Sequence, residues 1–405
     1  MPTFEEARAT ILKHVPRMGI ERASILDAGG RVLAEDITAP WDMPRWTNSA
    51  MDGYAVCAAD CQQSTTLPVS GFIPAGGSLG APLQPGTAAK IMTGAPVPEG
   101  ADAIVPVEDT EEAEGGVHIP KPIKCGAHIR HKGEDVQTGE CIVPAGTILR
   151  PAEIGMLASF GKIFVSVFRR ARVAILATGD ELVEPGEMLG DDKIVNSNTL
   201  ALATALREIG AEPTILGIAR DNRESTREKM LEGLKADALI TSAGVSTGDR
   251  DFVRTVLDEL GAETLFCRVG IKPGRPTTFA RLGEKPIFCL PGNPVSTMVT
   301  FEEFVRPALL KMMGHSRVIK PLIEATLLTD LTKKRLGVLN FQRVSIEVRD
   351  GKYLASCSGD QNTGILKTMV RADALALLPE DRDHFKAGDQ VKIHLLSNSA
   401  DMLEG

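Results

Sequence analysis

Residues 237–261 read DALITSAGVSTGDRDFVRTVLDELG, and their order decides the fold. The apolar run Ala238–Ile240 fits a buried strand. A loop of hydroxyls and glycines follows, with Thr241, Ser242, Gly244, Ser246, Thr247 and Gly248, then the carboxylates of Asp249 and Asp251. From Asp251 the pattern DFVRTVLDELG predicts an amphipathic helix ended by Gly261. Strand, polar loop and helix make half of a βαβ unit. Two readings of the loop stand open from these residues alone: a strand-to-helix turn with a capping aspartate, or a cradle for an anion with a carboxylate for a metal.

The same rhythm runs on both sides. RVAILA (172–177), TILGIA (214–219), LFCRVGI (265–271) and PIFCL (286–290) predict buried strands. NTLALATALREIG (198–210) predicts a helix with Asn198 as N-cap and Gly210 as its stop, STREKMLEGLK (225–235) another, and VSTMVTFEEFVRPALLKMMG (295–314) one long helix. Alternating strands and helices over 171–316 imply right-handed crossovers and a mostly parallel, doubly wound α/β sheet. Outside that segment the texture changes. Residues 46–141 carry frequent Gly and Pro between short apolar runs, which predicts a β-rich domain. Residues 3–15, 21–27 and 150–161 read as helix, so 1–45 plus 142–170 form a discontinuous helical linker domain. Residues 317–405 return to short strands and predict a C-terminal β-barrel or sandwich. The expected fold class is multidomain, α/β and β.

Composition narrows the function. At 405 residues, 43% hydrophobic and 24% charged, the chain is globular rather than disordered. A net charge of −8 and 4% aromatics argue against a general nucleic-acid binder, which needs a basic face or stacking platforms. Seven cysteines at irregular spacing, with no C-x-x-C, predict a reduced, cytoplasmic compartment. No apolar run approaches the roughly 18 residues of a membrane span, and the N-terminus lacks the pattern of a signal peptide.

The chemistry concentrates by position. ATGDEL (177–182), ARDN (219–222), TSAGVSTGDRD (241–251) and LPGNPVS (290–296) each follow an apolar strand. Ligands of open α/β sheets bind outside the carboxyl ends of the strands, so four such loops on one rim predict a site there. Glu181, Asp221 and Asp251 suit a hard cation such as Mg²⁺, whereas Asp180 and Asp249 also fit as caps. In LPGNPVS, Asn293 can cap a helix, Pro294 suits its first position, Gly292 permits close approach, and Val295, Ser296 and Thr297 offer N–H groups. IKPGRP (271–276) places Lys272 and Arg275 on a stiff loop that suits an oxyanion. G-x-S-x-G, a P-loop and a post-strand G-x-G-x-x-G are all lacking, which leaves metal-assisted handling of an anionic phosphate ester.

NSAMDGYAV (48–56), MTGAPVPEGADAIVPVEDT (92–110), TGDEL (178–182), NSNTLAL (196–202), TSAGVSTGDRDF (241–252), IKPGRP and LPGNPVS together resemble the MoeA family of molybdenum insertases, to which the gephyrin E domain belongs. The resemblance runs the length of the chain. It implies a Mg²⁺-dependent molybdopterin molybdotransferase that inserts molybdate into adenylylated molybdopterin and releases AMP. It also implies four domains, a homodimer with the active site between subunits, and an upstream molybdopterin adenylyltransferase. A molybdopterin adenylyltransferase-like step and a non-catalytic, gephyrin-like scaffold are the alternatives.

Residue by residue, the resemblance assigns catalytic roles to Asp52, Thr93, Glu181, Asp221, Asp251, Arg268 and Lys272, with Asp52 and Thr93 supplied in trans. Glu181, Asp221 and Asp251 are the implied metal ligands. Ser242, Gly244, Ser246, Pro291, Gly292, Asn293 and Pro294 are the implied substrate-binding residues. Lys272, Arg275, Ser296, Arg343 and Thr363 are the implied molybdate clamp. Arg268, Arg275 and Thr363 stand where relatives usually carry Lys, Lys and Ser. An Arg fork differs from the point charge of Lys, which leaves molybdate against tungstate preference open. Ala243 stands where the family usually has Gly, so the peptide there has either ordinary dihedrals or a strained, reshaped loop.

Overall fold

The structure, a computed structural model, describes residues 1–78, 80–244, 252–333 and 336–396. The chain divides into two compact units. The first comprises Met1–Ala34, Ile148–Arg150 and Val165–Gly405; the second comprises Glu35–Thr147 and Pro151–Phe164.

The first unit opens with helix α1 (Phe4–His14), started by a capping box in which Thr3 and Glu6 satisfy each other's backbone N–H. Its α/β part contains strands β1 (Arg172–Thr178), β2 (Glu212–Ala219), β3 (Ala238–Ser242), β4 (Glu263–Phe266), β5 (Ile271–Lys272), β6 (Thr278–Leu282) and β7 (Lys285–Leu290). The six-stranded sheet has the order β2-β1-β3-β7-β6-β4. β2, β1, β3 and β7 run parallel, and β6 and β4 extend the sheet antiparallel. Helices α2 (Ser197–Glu208), α3 (Arg223–Gly233) and α4 (Phe252–Glu259) supply the crossovers. Strand β1 alternates its contacts: Val173 and Ile175 join one apolar core with Leu202, Leu206 and Phe304, while Ala174 and Leu176 join another with Met230, Val256 and Leu257. Both faces are covered, which is why the strands read as continuous apolar runs.

The long helix expected over 295–314 is present with one interruption. Helix α5 (Pro294–Thr300) passes through a π turn, Phe301–Val305, into α6 (Arg306–Met312). The cause is Pro307, which has no N–H to give to the Glu303 carbonyl. The Arg306 N–H reaches five residues back to the Phe301 carbonyl instead. The turn aims Glu303 inward, 4% exposed, where it meets His394 Nδ1 at 2.8 Å.

Residues 323–395 contain β8 (Ile323–Leu327), β9 (Leu339–Arg349), β10 (Lys352–Cys357), β11 (Ala374–Leu378) and β12 (Gln390–Leu395). They pair in the order β9-β10-β8-β12-β11, and β11 returns to β9, which closes a five-stranded barrel. Strand β5 of the α/β part pairs in parallel with β9, with Lys272 opposite Asn340.

The second unit is β-rich, as its composition predicts. A four-stranded sheet joins Val69–Ile73, Ala88–Ile91, Gly53–Val56 and Ala103–Pro106, and a three-stranded sheet joins Thr65–Leu67, Gly116–Ile119 and Glu111–Ala113. Helix Pro151–Ser159 belongs to this unit.

Two expectations are corrected. Residues 21–27 hold no helix: Ile20–Ser24 is a strand paired with Phe164–Phe168. A partner some 140 residues away overrides local propensity there. The N-cap of α2 is Asn196, whose side chain accepts the Thr199 N–H, and Asn198 lies inside the helix.

Candidate active site

The carboxyl ends of β1, β2, β3 and β7 lie on one rim, where the four expected loops begin; the loop after β3 is described as far as Gly244. The Gly179 N–H donates to the Ala219 carbonyl at 3.2 Å. The Asp180 N–H donates to Asp221 Oδ2 at 3.3 Å, and the Asp221 N–H donates to Asp180 Oδ1 at 3.2 Å. Asp180, which also fits as a cap, is the direct partner of Asp221. Glu181 is exposed on the same loop, with its carboxylate folded over Gly179. A Cβ at Gly179 would lie 2.5 Å from Glu181 Oε2, so glycine is required for that carboxylate to sit there. Among the described residues no group of three His, Cys, Asp or Glu side chains is gathered as a metal site. Asp251, Ser246 and Asp249 lie outside the described residues.

The hydroxyl loop is tied to its neighbours by Asn198. Its Nδ2 donates to Ser242 Oγ at 2.9 Å and to the Gly292 carbonyl at 2.8 Å, joining α2, the end of β3 and the LPGNP loop. Asn198→Ala leaves both acceptors unmatched. We expect it to cost about 1–2 kcal/mol and to raise substrate KM more than it lowers kcat, which steady-state kinetics beside a thermal melt would separate. An unchanged KM would show that the tie does not shape the rim.

Ala243 has φ +74°, the left-handed region. Its N–H is held by the Leu290 carbonyl at 3.0 Å, and its methyl lies 3.0 Å from where a Cβ on Gly292 would stand. The loop therefore keeps a glycine-type conformation with alanine in it. Left-handed alanine costs roughly 1–2 kcal/mol, and glycine loses about 0.4–1 kcal/mol more on folding. Ala243→Gly should raise stability by about 0.5–1 kcal/mol, measurable in a denaturant titration; a destabilised variant would mean that the backbone is not strained.

A second group of residues lines a cavity of about 360 Å³ beside the barrel, with Lys272, Lys333, Asn340, Gln342, Arg343 and Thr363 on its walls. Arg343, from the middle of β9, is 1% exposed. Its guanidinium donates to Thr368 Oγ1 and to the carbonyls of Asp360 and Asn362, each at 3.2 Å. It has no ion-pair partner among the described residues, and burial pulls its pKa below the usual guanidinium value against the pull of Cys357 and Asp360. Lys333, 6% exposed, donates to the carbonyls of Val338 and Pro379, and burial lowers its pKa too, opposed by Asp381, Glu380 and Asp383. A buried cation without a counter-ion is costly unless an anion completes it.

The remaining expected residues are placed as follows. Asn293 starts α5 without capping it, because its Nδ2 turns to Thr363 Oγ1 at 3.2 Å and so links the LPGNP loop to the barrel. Pro294 occupies the first helical position. Pro291 and Ser296 are buried, and the Pro291 carbonyl accepts from Thr297 Oγ1 at 2.6 Å. The Thr297 N–H is taken by the Asn293 carbonyl, so it is not free for a ligand. Gly244 has φ +72°, and a Cβ there would meet Val253 at 2.6 Å and the Thr178 hydroxyl at 3.0 Å. Arg268 and Arg275 are exposed, and neither lines the cavity that holds Lys272. In the second unit, Asp52 Oδ1 accepts both the Thr93 N–H and the Thr93 hydroxyl, each at 2.7 Å. The backbone bond first, and the hydroxyl second, hold the Asp52 carboxyl below its ordinary pKa. Lys333, Gln342 and the tie made by Asn198 escaped sequence reasoning. Lys333 sits in TKKR, a run that reads as solvated surface.

Comparison with known proteins agrees along the chain. Residues 2–161 match the MoeA N-terminal region (domain I and II), 174–311 match a probable molybdopterin binding domain, and 324–396 match the MoeA C-terminal region (domain IV). A molybdopterin molybdenumtransferase from Haemophilus influenzae is 36% identical over 408 residues, covering 98% of this chain and 100% of that protein. Molybdopterin molybdenumtransferase 2 from Mycobacterium tuberculosis is 38% identical over 380 residues, covering 91% and 93%. Among solved structures, a molybdopterin biosynthesis MoeA protein from Pyrococcus horikoshii superposes with a TM-score of 0.83 at 31% identity, covering 98% and 99%. By domain content, full-length identity and fold, the chain belongs to the MoeA family.

Proposed function

We propose that this chain is a molybdopterin molybdotransferase, inserting molybdenum from molybdate into adenylylated molybdopterin with release of AMP. The observation that carries the reading is Arg343, a buried guanidinium without a carboxylate partner, in one cavity with Lys272 and Lys333. Three cations in a small, partly desolvated space suit a compact dianion such as molybdate. Asn340, Gln342 and Thr363 add neutral hydrogen-bonding groups that orient its oxygens. Ser242 and Asn198 shape the adjoining rim, where a phosphate ester would lie with its adenylyl group near the open loops.

Asp180, Asp221 and Glu181 offer hard oxygen donors on that rim, and Mg²⁺ commonly takes one or two carboxylates with the rest from water and substrate phosphate. The donor set fits Mg²⁺, which when bound would supply a Lewis acid for the phosphoryl oxygens. The family likeness extends the proposal to a cytoplasmic homodimer, served by a molybdopterin adenylyltransferase, in which Asp52 and Thr93 of one subunit act at the partner's rim.

The purified protein should release AMP from adenylylated molybdopterin only when Mg²⁺ and molybdate are both present. AMP release that ignores molybdate would overturn the insertase reading. The shared site has its own test. Asp52→Ala and Arg343→Ala proteins, each inactive alone, should recover about a quarter of wild-type activity when co-refolded, because half of randomly paired twofold dimers hold one intact site. No recovery would place Asp52 and Arg343 in the same subunit's site.

A further inference from the structure

We propose that the first unit carries a second anion site, for an organic polyphosphate of the nucleoside triphosphate class, at the end of the α/β sheet opposite the rim. The site is a cleft of about 480 Å³ lined by Arg31, Arg170, Arg207, Arg306, Arg317 and His315. Arg170 lies just before β1, and Arg207 lies in the last turn of α2, which feeds β2. The cleft therefore opens at the amino ends of the strands. β1, seven residues long, separates it from the rim by about 20 Å at roughly 3.3 Å per residue.

Five guanidinium groups face one concavity in a chain whose net charge is −8. A single carboxylate, Glu208, is among the lining residues. The internal partners account for two of the five. Arg31 pairs with Glu21 and donates to the Phe168 carbonyl at 2.8 Å, and Arg306 stands 3.5 Å from Glu302, which also holds Lys320 at 2.6 Å. Arg170, Arg207 and Arg317 have no ion-pair partner among the described residues. Basic residues on a solvated surface usually spread apart, because like charges repel. A multiply charged anion of ligand size would offset the part of that repulsion which Glu21, Glu302 and Glu208 leave. Arginine is the side chain suited to it, since its planar fork takes two phosphate oxygens at once. His315 adds a ring that can donate a hydrogen bond beside these cations; burial, and secondarily the Arg306 charge, hold its pKa below the ordinary value. Phe168, Leu310 and Met313 provide an apolar wall against which a nucleobase could lie. One phosphate would engage only two or three of the cations; a chain of phosphates spans more of them.

Isothermal titration of the full-length protein with ATP and with inorganic tripolyphosphate tests the site. Both should bind saturably below ~1 mM, and the affinity should fall steeply with salt. The double variant Arg207→Ala/Arg317→Ala should weaken binding at least tenfold while its molybdate-dependent AMP release stays at the wild-type level. Arg207→Lys/Arg317→Lys, which keeps the charge and loses the fork, should weaken it less. Arg343→Ala, which empties the oxyanion cavity of its central cation, should leave polyphosphate binding intact. Binding that survives the double alanine variant, or is lost in Arg343→Ala, would overturn the proposal, as would no saturable binding of either probe. Because the AMP-release assay is read separately, failure of the insertase reading would not be confused with failure of this one.

Discussion

Arg343→Ala is expected to abolish molybdate-dependent AMP release, with a fall in kcat/KM of at least about a hundredfold. The guanidinium is the most deeply buried cation of the cavity and makes no direct ion pair with a carboxylate among the described residues, although Asp360 stands near enough to favour its charge. Two consequences should separate in measurement. The loop 360–363 loses the donor that holds the Asp360 and Asn362 carbonyls, and Thr368 Oγ1 loses the guanidinium donor while keeping its bond to the Ile365 carbonyl. That predicts a stability loss of about 2–4 kcal/mol, read from a denaturant melt. The chemistry predicts a rise in the molybdate concentration needed for half-maximal rate. Arg343→Lys restores a charge without the fork, so it should recover part of the activity and little of the loop's order. If Arg343→Ala melts lower yet keeps its molybdate dependence, the residue is structural and the oxyanion is held elsewhere.

Gly53→Ala should have the largest effect on stability. Gly53 is the first residue of an inner strand of the second unit's four-stranded sheet, opposite both Ile91 and Pro106. A Cβ there would stand 2.0 Å from the Val105 carbonyl oxygen and 2.9 Å from its carbon. These are backbone atoms of a paired strand, so no side chain can turn away, and the strands must part. We expect a loss of at least about 3 kcal/mol, or roughly 6–12 °C in the melting transition of that unit. Asp52 precedes this glycine and Thr93 follows the strand paired with it, so their bond should loosen and activity should fall as well. Calorimetry decides it: a variant melting with the wild type would mean that the sheet yields at this point without penalty.

Of the parallel strands, β1, β3 and β7 were legible because each is buried on both faces, which leaves unbroken apolar runs between polar loops; β2, at the sheet edge and half exposed, was legible from the apolar run TILGIA alone. Of the antiparallel extension, β4 was read in part within LFCRVGI, and β6 was not read at all. Thr278–Leu282 is short, carries Arg281, and turns at once through Gly283 into the next strand, so nothing in its pattern separates it from a loop. Ile20–Ser24 misled for the opposite reason, since its local sequence favours helix and only a distant partner makes it a strand. The signal for the π turn, Pro307 within a helical stripe, was present in the sequence. The rim was readable by position, since any polar cluster after a buried parallel strand falls there. What could not be read was which side chain meets which. Asn198 read as a cap and instead ties α2 to the end of β3 and to the LPGNP loop, and Asp180, which also fitted as a cap, meets Asp221. Lys333 and Gln342 reach the cavity only because the barrel closes, a long-range event without a local pattern.

That closure bears on timing. β5 carries Lys272 and pairs through its main chain with β9, which carries Arg343 three residues beyond Asn340, and the Leu339 N–H donates to the Gly270 carbonyl at 3.1 Å. The two cations are thus set on one continuous ribbon, not on bodies joined by a hinge. If this cavity takes the oxyanion as proposed, capture needs no closing motion between these two strands, and its rate should follow encounter and ionic strength.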